Sequence, residues 1–199
     1  MKRDKIGGYL MVGLLGAEAL LVLASWLLTA AMPDEFSRSL LSAEGIRWFM
    51  GHFALNMSSV WLVWLLLFSL AWGALRGSGV LRFQRSSYSQ RLGMYWVIAE
   101  LAVFVAMLLA LTLPSHAILV NVMGGLFPSS FSACLVPYVC FAVVVMSITY
   151  GVMSEQLQTI DAIYHLLIDG IRGAAPLFLY YLLVMQLIQS VSFLFNITL

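Results

Sequence analysis

Five stretches of this chain, residues 7–31, 48–75, 92–113, 132–153 and 174–199, run on almost purely apolar side chains, and no other feature restricts the fold so tightly. A hydrocarbon layer about 30 Å thick is crossed by roughly 20 residues of α-helix, and a backbone polar group inside it finds no water to pair with. Helices satisfy their own N–H and C=O groups, so the spacing predicts an all-α, polytopic membrane protein with about five transmembrane helices. Composition agrees. Hydrophobic residues make up 62% and charged residues 10% of the chain, and the mean hydropathy is +0.98, whereas soluble domains are about 25% charged. The net charge is +1, and the basic residues are scattered over ends and loops. With no basic stripe, no nucleic-acid partner is expected; the first partner the sequence demands is a lipid bilayer.

The connections carry stop signals. Met32-Pro33-Asp34-Glu35 closes the first span, and Ser42-Ala43-Glu44 is placed to cap a short helix or open the second span. Arg76-Gly77-Ser78-Gly79 ends that span, and a basic, serine-containing linker follows at residues 82–91. The third span stops at Pro114. Residues 115–131, with Gly124-Gly125 and Pro128-Ser129-Ser130, read either as a loop or as a segment lying in or dipping through the interface. Residues 155–171 place Leu157, Ile160, Ile163, Tyr164, Leu167, Ile168 and Ile171 at helical spacing, which predicts an amphipathic helix on the membrane surface.

The whole, residues 1–199, reads as one membrane domain. The charged start resembles a signal peptide, but the apolar run of residues 7–31 exceeds the roughly 7–15 residues of such a segment, so a retained helix is expected. With the N-terminus cytoplasmic, the inner segments hold Lys2, Arg3, Lys5, Arg76, Arg82, Arg85, Arg91 and Arg172, and the outer ones only Arg38 and Arg47. That asymmetry fixes the expected orientation, because Lys and Arg accumulate on the inner side. Trp26, Trp48 and Tyr150 fall near span ends, where aromatic rings meet head groups; Trp61, Trp64, Trp72 and Trp96 read as packing or lipid-facing residues.

Two carboxyl groups interrupt the apolar runs, Glu18 in GLLGAEALLVL and Glu100 in YWVIAELAVF. Both lie about three turns from the expected cytoplasmic end. An ionisable group at that depth costs several kcal/mol on most scales, so a functional role is the starting hypothesis. Gln186 and Gln189 of the last span fall near the same depth, and Asn56 and His52 enter from the outer half of the second. Together they suggest a polar seam. It has two readings: a proton, ion or substrate path, or interhelical hydrogen bonds that fix packing at about 1 kcal/mol each.

The remaining polar residues add little. Cys134 and Cys140 stand in an apolar run without metal-ligand spacing and point in different directions along a helix, so neither a metal site nor a disulfide is expected. Gly7, Gly8, Gly13 and Gly16 permit close helix approach but lack a four-residue dimer spacing. No nucleophile with a neighbouring base, no HExxH and no phosphate loop is present, and His52, His116 and His165 belong to different segments. Enzyme activity and a cofactor are not expected.

Two segments resemble the AbgT family of bacterial inner-membrane transporters. Residues 39–81 carry Leu40, Leu41, Ser42, Gly45, Arg47, Asn56, Ser78 and Gly79 in the order of the family's entry segment. From Arg91 onward, the FPSS loop, Pro137, Tyr150-Gly151, Gln186 and Asn196 follow in the family's order. The resemblance implies a multi-pass protein of the inner membrane that carries p-aminobenzoyl-glutamate or other small aromatic or amphipathic acids; on a transport reading Glu18 and Glu100, from their place in the apolar runs, are the expected proton-linked groups. Family members are about twice this length or more and hold cargo in re-entrant hairpins and a second inverted repeat, which have no counterpart among these residues. No binding residue is therefore carried over. The resemblance implies a transport scaffold that works as a homo-oligomer or with a membrane-protein partner. The alternative is a non-transporting scaffold or oligomerisation subunit reduced from such a transporter.

Overall fold

The structure, a computed structural model, describes residues 2–33, 36, 38–82, 88–112 and 130–196. Among them are six α-helices and one short 3-10 turn: α1 (Lys2–Ala31), α2 (Ala43–Met57), α3 (Val60–Gly77), the turn Val80–Arg82, α4 (Tyr88–Thr112), α5 (Ser130–Met153) and α6 (Ile160–Phe195). Five are long and apolar enough to cross a membrane: Ile6–Ala31 of α1, all of α3 and α4, Ala133–Met153 of α5, and α6. The architecture is that of a polytopic helical protein. Residues 115–129 of the segment 115–131 and 83–87 of the basic linker lie outside the described residues, and the linker's last four residues, 88–91, belong to α4.

Burial is inverted relative to a water-soluble domain. The large apolar side chains face outward, among them Val12, Leu20 and Leu27 of α1, Trp61, Phe68 and Trp72 of α3, and Tyr95, Ile98 and Val103 of α4. Many of the buried positions are taken by small and hydroxylic residues, including Ser25, Ser69, Ala74, Ser78, Ser147 and Ser190. Hydrocarbon solvates apolar surface as well as a protein core does. Helices in it therefore gain by close backbone approach through small residues and by interhelical hydrogen bonds. A bilayer is the solvent for which this surface is suited.

The chain divides into two compact units, one of residues Met1–Leu62 with Ala175–Leu199, the other of Val63–Ala174. In the first, the segment after α1 is tied back to it: Ser25 Oγ accepts from the Leu40 N–H at 3.2 Å, and Thr29 Oγ1 donates to the Arg38 carbonyl at 3.2 Å. Arg38 donates to Asn196 Oδ1 at 2.8 Å and lies over the Phe193 ring, which stacks on Trp48 at 4.5 Å. The α2 N-terminus is capped by Ser42, whose Oγ accepts from the Gly45 N–H at 3.0 Å. Ser42→Ala is expected to cost about 1 kcal/mol, read as lower unfolding stability in bicelles by steric trapping; an unchanged value removes the cap's role.

In the second unit α3 and α6 meet backbone to backbone. A Cβ built on Gly73 would lie 2.5 Å from the Gly170 Cα, and one built on Gly170 would collide with the Ser69 carbonyl oxygen. Beside this crossing Ala74, Leu157 and Leu166 form a buried core, with Val144, Ala162, Ile163 and Leu167 packed on it. The α4 and α5 helices pack together through Phe104, Tyr138 and Phe141, and the Tyr138 hydroxyl donates to the Phe104 carbonyl at 2.7 Å.

Three expectations from the sequence are revised. The span read at residues 48–75 is two helices, broken at Ser58-Ser59. The Ser58 hydroxyl donates back to the Leu55 carbonyl at 2.8 Å, and the Ser59 N–H turns onto the Met57 carbonyl at 2.9 Å. Tyr181 secures the break, its hydroxyl donating to the same Met57 carbonyl at 2.9 Å and meeting Ser59 Oγ at 2.5 Å. Serine hydroxyls that satisfy nearby backbone groups offer the chain this alternative to helix.

The expected surface helix at 155–171 is not a separate element either, because α6 runs unbroken through Gly170, Gly173 and Pro176. Gly170 serves the contact with α3 instead of ending a helix. Part of the apolar stripe, Ile163 and Leu167, packs on the core, while Ile160 and Tyr164 are exposed. Tyr150, expected at the head groups, is fully buried; Trp26 is exposed, and Trp48 is half-buried against Phe193.

Candidate functional site

Glu18 stands at the midpoint of Ile6–Ala31 and Glu100 at the midpoint of Tyr88–Thr112. About 18 Å of helix separates each from either end of its span at 1.5 Å per residue. In a helix that crosses a bilayer, the midpoint is where water is scarcest. Each carboxyl group meets a hydroxyl on another helix of its own unit.

In the first unit the Ser190 hydroxyl of α6 donates to Glu18 Oε1 at 2.6 Å. Gln186, one turn earlier on the same face of α6, directs Nε2 at Ser190 Oγ over 3.4 Å. Ser190 is fully buried and Gln186 only 7% exposed. The three side chains form a chain of donors running from amide to hydroxyl to carboxyl. Two acceptor atoms in it are buried with no partner, Glu18 Oε2 and Gln186 Oε1. Asn56, near the C-terminal end of α2 in the same unit, leaves its Nδ2 buried and unpaired as well.

In the second unit the Thr149 hydroxyl of α5 donates to Glu100 Oε1 at 2.7 Å, and Glu100 Oε2 is buried and unpaired. Tyr150, next in the chain, is fully buried with its hydroxyl unpaired, its ring against Gly93 of α4. Thr149→Val keeps the shape but removes the hydroxyl, leaving Glu100 without its partner. It is expected to lower stability by about 1–3 kcal/mol, the cost of stranding a buried polar group. Equal unfolding midpoints for the two proteins in detergent would contradict this.

Of the residues singled out from sequence, the structure joins Glu18 with Gln186 through Ser190 and places Glu100 with Thr149 in the other unit. It does not draw Gln189 into a hydrogen bond with this group among the described residues, and His52 is exposed. Ser190 and Thr149 were not foreseen. A hydroxyl on an apolar helix commonly turns back on its own backbone, as Ser192 does to the Ile188 carbonyl at 3.0 Å, and sequence spacing does not distinguish the two uses.

Among the described residues neither carboxyl group is ion-paired with Lys, Arg or His, and no group of three or more His, Cys, Asp and Glu is placed to hold a metal ion. Both cysteines are free. A groove of about 400 Å³ at the start of α1 is lined by Ile6, Tyr9, Leu10, Gly13 and Leu14, and by neither carboxyl group. Each carboxyl group thus has one hydroxyl donor, one unpaired buried oxygen and, among the described residues, no countercharge.

Comparison with family models, with curated proteins and with solved structures gives no match for this chain. The functional reading therefore rests on its own residues.

Proposed function

We propose that the chain is a proton-linked membrane transporter, or a subunit of one, for small aromatic or amphipathic acids of the p-aminobenzoyl-glutamate kind, in a bacterial inner membrane. The observation that supports this most is Glu18 at mid-span, bonded across helices to Ser190 and otherwise unpaired. Packing alone would be served by Ser, Asn or Gln at lower cost, since an ionisable group in hydrocarbon is the expensive choice. The cargo class comes from the AbgT resemblance of residues 39–81 and of the segment from Arg91 onward. The helix break at Ser58-Ser59 adds support, because discontinuous helices are a recurrent feature of carriers that bind near the bilayer midplane.

The test is uptake of radiolabelled p-aminobenzoyl-glutamate into vesicles carrying the purified chain under an imposed pH gradient. Uptake that follows the gradient and is lost in Glu18→Gln supports the proposal. Uptake equal to that of empty vesicles removes it.

A second reading, a non-transporting scaffold that assembles with itself or a membrane partner, is favoured by one observation. Added Cβ atoms at Gly8, Gly13 and Gly16 of α1 would meet nothing within 4 Å, which leaves a glycine-bearing surface on which a second helix can approach closely. On that reading Glu18→Gln and Glu100→Gln are silent, and crosslinking in native membranes captures a partner through α1.

A further inference from the structure

Two features of the Glu18 site stand out from ordinary interhelical bonding. The Gln186–Ser190 contact, at 3.4 Å, is at the long end of a hydrogen bond, and the free amide oxygen of Gln186 is buried without a partner. A primary amide presents a donor and an acceptor that exchange places on rotation, and a hydroxyl both donates and accepts. Glu18, Ser190 and Gln186 can thus be hydrogen-bonded in either of two senses.

We propose that this chain reverses when Glu18 takes up a proton, so that Gln186 reads the protonation state of Glu18 through Ser190. The inference rests on the reading of Glu18 as a proton-binding group. In the anionic state the amide N–H donates to Ser190 Oγ and the Ser190 O–H donates to carboxylate Oε1, the arrangement observed. One proton from water then adds to Oε1, converting carboxylate to carboxylic acid. The new O–H donates to Ser190 Oγ, the Ser190 hydrogen swings to the amide, and the amide turns to present Oε1. No other bond is made or broken.

Each arrangement leaves one amide atom unpaired, so the two are matched in that cost. Glu18 Oε2 is unpaired in both, but as the carbonyl oxygen of a neutral acid it is less costly to bury. The loosely held amide is what lets the chain turn. Ser190 is the pivot and Gln186 a positioning residue.

The titratable and charged groups of this unit whose side chains are described are placed elsewhere. Tyr180 lies beside Gly7, Tyr181 is engaged at Met57 and Ser59, and Arg38 is held on Asn196 and Phe193. Tyr9, Glu44, Arg47 and His52 are exposed.

The experiment is infrared difference spectroscopy between low and high pH on the full chain in phosphatidylcholine vesicles, with glutamine labelled by carbon-13 at the side-chain amide. A carboxyl C=O band lost in Glu18→Gln and an amide C=O band lost in Gln186→Leu are expected to change with one shared pH midpoint. Ser190→Ala is expected to remove the amide band from the difference spectrum, and Ser190→Thr, which restores a hydroxyl, to return it. A Glu18 carboxyl band that titrates with no accompanying amide change, or an amide change that survives Ser190→Ala, overturns the inference while leaving proton binding at Glu18 intact. Absence of any Glu18 carboxyl band overturns both.

Discussion

Gly170→Leu is expected to lower the unfolding stability of the membrane-embedded protein by about 3 kcal/mol, the upper end of the usual cost of overpacking. The reason is local and geometric. At Gly170 even a Cβ collides with the Ser69 carbonyl, and across the crossing a Cβ on Gly73 would sit 2.5 Å from the Gly170 Cα. Backbone on both sides cannot step aside as a flexible side chain would, so α3 and α6 must separate within the second unit. Separation breaks the packing of Leu166 on Ala74 and Leu157. Gly173 is the control: it lies on the same helix, yet a Cβ there meets nothing within 4 Å. Gly173→Leu is expected to stay within about 0.5 kcal/mol of the parent. Steric trapping in bicelles measures both; helix propensity favours Leu over Gly at either position, so equal losses at the two would show that the crossing does not govern the effect.

Glu18→Gln is expected to leave the fold in place and to reduce pH-driven uptake by at least about tenfold, the change that ~1.4 kcal/mol in a barrier produces. The amide keeps an oxygen able to accept from Ser190, so the contact between α1 and α6 persists. What it loses is the ability to change protonation state. Gln186→Leu should reduce uptake with the carboxyl group still present, since it removes the partner beyond Ser190. A Glu18→Gln protein with normal uptake would return the site to the role of a packing bond and favour the scaffold reading.

The helical membrane architecture is legible in the sequence because it is written in bulk properties. Apolar runs of spanning length need only composition and length to be recognised, and the bounds of α1, α4 and α5 fall close to those read from hydrophobicity. Glu18 and Glu100 are legible for the same reason, as charged residues where charge is costly. What escapes is whatever depends on a partner. Ser190 and Thr149 look like any hydroxyl on an apolar helix, and only the neighbouring helix turns them toward a carboxyl group. Gly170 reads as one more residue of a surface helix until Gly73 is seen to need the space. The break at Ser58-Ser59 is concealed by apolar residues on both sides, although the serine pair is its one local signal. Gln189 is as polar as Gln186 but lies on a different face of α6 from Ser190, and one residue of helical phase decides between them.

The most direct test of the central claim, that Glu18 binds a proton inside the membrane and links it to cargo, is the pH inside dye-loaded vesicles that carry the purified chain. On addition of external p-aminobenzoyl-glutamate, with no gradient imposed, the account predicts acidification of the interior with the parent protein and none with Glu18→Gln. Cargo entry without acidification, or acidification that persists in Glu18→Gln, would contradict it.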